Sequence, residues 1–67
     1  MLVKVVTFFG KTINIDIEPS ETIMDLKLKI FDKEEYIPRG LLGAGRRLED
    51  GRTLSHYNIQ NGSEIRM

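Results

Sequence analysis

In Leu48-Glu49-Asp50-Gly51-Arg52-Thr53-Leu54-Ser55-His56-Tyr57-Asn58-Ile59-Gln60 an apolar residue meets an acidic pair and a glycine, and Leu54, Tyr57 and Ile59 come after them at short intervals. That order predicts the end of a strand, a tight turn, and a brief helical turn that points its apolar groups inward. Gly51 is expected to supply a positive φ in the tight turn, and Thr53 or Ser55 to cap the helical one. Tyr57 carries a large apolar ring whose hydroxyl needs a partner once buried. The nearest backbone groups in sequence are those of the Glu49 to Gly51 turn, so the connector is expected to close on itself.

Upstream, Met1, Val3 and Val5 alternate with Leu2, Lys4 and Val6, and Ile13, Ile15 and Ile17 alternate with Thr12, Asn14 and Asp16. A period of two on both sides of a loop containing Gly10 predicts an antiparallel hairpin with the first and third sets facing a core. Phe8 and Phe9 fall at its tip, where large aromatics cost solubility unless something covers them. Glu18-Pro19-Ser20-Glu21 ends the second strand. Thr22 then suits an N-cap for a helix from Ile23 to Glu34, with Asp25 as an imperfect capping-box partner.

Two apolar stripes run along that helix. Ile23, Leu26 and Ile30 keep the i, i+3, i+7 spacing of a core face. Met24, Leu28 and Phe31 lie roughly 100° away around the axis. One helix on one sheet does not bury both, so the second stripe is either a partner or self-association surface, or a core extension with Leu28 or Phe31 under Tyr36-Ile37. Pro38 and Gly40 end the helix and turn the chain. Leu41-Leu42-Gly43 and Arg46-Arg47-Leu48 read as short strands about an Ala44-Gly45 turn. After the turn signal Asn61-Gly62, Ser63 to Met67 read as a last strand with Ile65 and Met67 facing inward.

At 67 residues the chain has room for one small domain, covering residues 1–67. Ten basic and ten acidic side chains cancel, so net charge favours neither a nucleic acid nor an anionic membrane as partner. No apolar run approaches the ~20 residues needed to span a bilayer. With no cysteine and one histidine, neither a thiolate metal site nor a catalytic dyad can be assembled, and no metal or cofactor is expected. His56 is read as an exposed loop residue. Glu49-Asp50 and Glu34-Glu35 are paired carboxylates without the enclosed pocket that acid–base catalysis requires. The glycines are scattered singly at turns, which excludes a phosphate-binding loop. An enzyme is therefore not expected, and Arg46, Arg47 and Arg66 are candidates to cluster on one sheet face.

Taken in order, the opening stretch, Gly10-Lys11-Thr12-Ile13, Glu18-Pro19-Ser20 with Thr22-Ile23, and Asp32-Lys33-Glu34 resemble ubiquitin along nearly the whole chain, with His56 a departure within the stretch. The resemblance implies an α+β, ubiquitin-like β-grasp fold: a mixed sheet of four or five short strands with one helix across it, the last strand lying centrally and parallel to the first. It also implies a protein-binding surface at Phe8, Leu42 and Arg66, with Met24, Leu28 and Phe31 as a second candidate, and protein partners in ubiquitin-related pathways of the cytoplasm or nucleus. Lys11, Lys27, Lys29 and Lys33 match family lysines and are candidate modification acceptors. The small modifiers of the family end in a flexible diglycine tail, whereas this sequence ends Glu64-Ile65-Arg66-Met67. Noncovalent recognition is thus the expected function, and a covalent modifier whose tail lies outside the sequence is the alternative.

Overall fold

The computed structural model describes all residues, 1–67. Strands β1 (Leu2–Val6) and β2 (Thr12–Asp16) are followed by helix α1 (Ile23–Glu34), strands β3 (Leu41–Gly43) and β4 (Arg46–Leu48), a 3₁₀ turn (Ser55–Tyr57) and strand β5 (Glu64–Arg66). The sheet has five strands in the order β2-β1-β5-β3-β4. β5 runs parallel to β1 and antiparallel to β3, so the last strand in sequence is the middle strand in space. This is the β-grasp arrangement, with α1 across the inner face.

Alternation explains the core. Val3, Val5, Ile13, Ile15, Ile17 and Ile65 point inward from the sheet, and Ile23, Leu26 and Ile30 point down from the helix to meet them. Leu41, Leu48, Leu54, Tyr57 and Ile59 close the far side, and Met1 and Met67 pack against the margin. Each fully buried aliphatic side chain contributes about 1.5–3 kcal/mol on transfer from water, which is the main term holding so small a domain together.

The connector after β4 is also the cap of the helix. The Ile23 and Met24 N–H groups, which have no partner within α1, donate to the carbonyls of Arg52 (2.9 Å) and Asp50 (3.1 Å). The Asp25 N–H donates to Thr22 Oγ1 at 3.2 Å, and the Asp25 carboxylate accepts the Thr22 N–H at 2.9 Å. The capping box is therefore complete, although aspartate is shorter than the usual glutamate. The Glu49 N–H donates to Tyr57 Oη at 2.8 Å, closing the connector as its sequence predicts. Thr53 Oγ1 accepts the His56 N–H at 3.1 Å and starts the 3₁₀ turn.

Gly51 does not take the positive φ expected of it, and its turn closes through the Arg52 N–H on the Glu49 carbonyl at 3.1 Å. The left-handed residue that ends α1 is Glu35 (φ 64°), whose N–H returns to the Phe31 carbonyl. Ala44 (φ 52°) and Gly45 (φ 76°) form the β3–β4 turn, the paired positive φ values of a two-residue hairpin.

Candidate functional site

Every strand contributes to the outer face of the sheet, and its register builds one continuous row. Thr12 stands opposite Val6, Val6 beside Arg66, Arg66 opposite Leu42, and Leu42 opposite Arg47. Because neighbouring strands are about 4.8 Å apart, Arg66 and Arg47 straddle Leu42 at roughly 10 Å. Leu42 is 50% exposed, since its neighbours Leu41 and Leu48 take the inward positions. Leu42 and Arg66 are thus brought together by the sheet, and Phe8 follows Val6 by two residues in the loop after β1.

Phe8 and Phe9 are 73% and 86% exposed, yet the loop carrying them is internally tied. Thr7 is buried beneath the tip, where its hydroxyl accepts the Phe9 and Lys11 N–H groups at 3.3 and 3.2 Å. The Gly10 N–H donates to the Thr7 carbonyl at 3.0 Å with Gly10 at φ 77°, a backbone that a glycine adopts without strain. A loop held this way presents its aromatic rings with little ordering left to lose on contact.

Around Leu42 lies an open depression of about 500 Å³ lined by Arg46, Arg47, Arg66, Glu64 and the Gly43–Gly45 turn. All three arginines line it, but alternation along β4 turns Arg46 to the same side as Leu48, so only Arg47 and Arg66 share the outer face with Leu42. None of the three is engaged in an ion pair, although Glu64 lines the same depression; the ion pairs of the molecule are Met1–Asp16, Lys11–Glu34 and Lys27–Asp50. Two unpaired arginines flanking an apolar residue, with a third at the rim of the depression, favour an occupant with carboxylates beside an apolar anchor. Arg47 was expected only as a member of the arginine cluster and Val6 not at all; the strand register places both on this row, and the exposure of Phe9 adds a second ring beside Phe8.

The second stripe stays at the surface: Met24, Leu28 and Phe31 are 38%, 45% and 45% exposed, so neither Leu28 nor Phe31 extends the core beneath Tyr36-Ile37. Of the four lysines, Lys27 is buried, with Nζ held by Asp50 Oδ1 at 2.6 Å and the Arg39 carbonyl at 3.0 Å. It joins helix to connector, and its amine is engaged as it stands. Lys11 and Lys33 are exposed and Lys29 half-buried, with Lys11 paired to Glu34 at 3.0 Å. His56 is exposed, its ring edge-on to Tyr57 with centroids 5.0 Å apart. No group of three or more histidine, cysteine or acidic side chains is placed to hold a metal ion. No helix is long and apolar enough to cross a membrane.

The ubiquitin family's sequence profile matches residues 1–67. The ubiquitin-like protein NEDD8 of Dictyostelium discoideum is 36% identical over 69 aligned positions that take in all of this chain and 90% of that protein. Ubiquitin-like protein 1 of Schizosaccharomyces pombe is 32% identical over 69 positions, all of this chain and 88% of its own length. The NEDD8-like protein RUB3 of Arabidopsis thaliana is 36% identical over 69 positions, again all of this chain and 88% of its own length. With the central parallel β5, the helix laid across the sheet and a match from end to end, the chain belongs to the ubiquitin family.

Proposed function

We propose that this ubiquitin-family domain works by noncovalent recognition of partner proteins through the outer face of its sheet, in ubiquitin-related pathways of the cytoplasm or nucleus. One observation carries the reading: Leu42 lies exposed between Arg66 and Arg47 on the outer row of the sheet, and Phe8 is exposed in the loop that follows β1. Binding energy concentrates where an apolar or aromatic anchor is flanked by arginine, and these residues contribute little to the fold by remaining exposed. Met24, Leu28 and Phe31 form the second contact surface, for a partner or for self-association. The domain acts as a ligand for other proteins and not as a catalyst.

Affinity capture from cell lysate tests this with wild type beside a Phe8→Ala, Leu42→Ala double variant. The double variant should fold as wild type does and lose most of the captured proteins. Adding Arg66→Glu should remove those retained at low salt. Equal capture by wild type and double variant would move the contact surface to the helix stripe.

The second reading is a covalent modifier, favoured by the kinship with NEDD8 and with other ubiquitin-like proteins. Mass spectrometry of the protein from its own cells separates the two readings. An isopeptide remnant on lysines of other proteins supports attachment, and recovery of the unattached protein alone supports the first reading.

A further inference from the structure

The two edges of the sheet are built differently. β4, at one edge, is three residues long and carries two arginines, a combination that discourages another strand from pairing. β2, at the other, is the five-residue stretch Thr-Ile-Asn-Ile-Asp, with no proline, no lysine and one charge. The Ile17 N–H donates to the Met1 carbonyl and the Thr7 N–H to the Lys11 carbonyl, so in this ladder the odd-numbered residues of β2 bond to β1. By alternation, the N–H and C=O groups of Thr12, Asn14 and Asp16 face away from the sheet. An open depression of about 410 Å³ lies beside that edge, between β2 and α1, and its charged lining is Asp16, Asp32, Lys29 and Lys33.

The geometry points to a second copy of this chain as the occupant: two β2 strands pair antiparallel about a two-fold axis at Asn14, joining two five-stranded sheets edge to edge. Asn14 is the middle residue of β2, so this register uses the whole strand. It sets Thr12 opposite the partner's Asp16, a hydroxyl against a carboxylate, and Asn14 opposite the partner's Asn14, amide against amide. No like charges stand directly opposite each other. The lining of two acids and two lysines is balanced, which suits a nearly neutral strand such as β2 and disfavours a strongly charged peptide. The contact is one strand wide and Ile13 and Ile15 are already buried, so association is weak, with a dissociation constant of about 1 mM.

The two-fold axis makes a sharp test available. Sedimentation equilibrium of wild type at about 1 mM should show a mass rising with concentration from 7.7 kDa towards twice that value. Asn14→Asp and Asn14→Lys each place like charges across the axis and should each remain monomeric. An equimolar mixture should associate at least as tightly as wild type, because the charges then oppose in sign. On dilution of wild type, amide shifts should change at Thr12, Asn14 and Asp16 and not at Ile13 or Ile15. Asn14 is exposed, so both variants should melt with wild type. A monomeric wild type, a mixture that fails to associate, or association that survives both single variants would each overturn the proposal, the last by shifting it to another surface.

Discussion

The Tyr57 hydroxyl accepts the Glu49 N–H within the connector that also caps α1, so Tyr57→Phe leaves a partly buried donor unpaired. We expect a loss of about 1–3 kcal/mol in denaturant unfolding, with an unchanged m-value. Glu35 is the opposite case. Its left-handed backbone at the end of α1 burdens a residue with a β-carbon, and Glu35→Gly should raise stability by about 0.5–1 kcal/mol, read as a higher denaturation midpoint. The Tyr57 bond was legible because both partners lie in one short stretch and a buried hydroxyl has few candidates. Glu35 was not: glutamate carries no turn signature, and Gly40 and Gly51, which do, keep negative φ.

Helix α1 was readable to its ends because its cap, its apolar period and its breaker are all local in sequence. Thr22→Ala removes the acceptor for the Asp25 N–H and should cost about 0.5–2 kcal/mol in thermal or denaturant unfolding. Leu26 and Leu28 make a contrast within the same helix. Leu26→Ala opens a cavity in the core and should cost about 2–5 kcal/mol, whereas Leu28→Ala on the exposed stripe should stay within about 0.5 kcal/mol. The reach of Arg52 and Asp50 to the helix N-terminus was not legible, since those carbonyls lie far along the chain from the amides they accept. Lys27 left a fainter signal: helical spacing puts it beside Ile23 and Ile30, a position that calls for a carboxylate partner, but nothing local names Asp50 as that partner.

For the molecule as a whole, β1, β5 and β3 are each flanked by strands on both sides, with β3 meeting β5 at Leu42 and Arg66, and β4 is short and at an edge. Native-state amide exchange followed by NMR should find the slowest amides in β1 and β5 and fast ones in β4. The candidate site is a property of this scale. Phe8, Leu42 and Arg66 come from three distant segments, and the resemblance to ubiquitin suggested them, whereas Arg47, named only as part of an arginine cluster, and Val6 were placed beside them only when strand register was known. Alternation says which face a residue takes but not which strand lies next to it.

The placement of β5 also governs how the protein comes off the ribosome. Until residues 64–66 emerge from the exit tunnel, the β1–β2 hairpin and the β3–β4 pair have no strand to join them, and the part of the core that Ile65 fills stays open. Closure of the sheet thus waits on synthesis of that strand, and a product stalled before it is left as prey for chaperones and proteases.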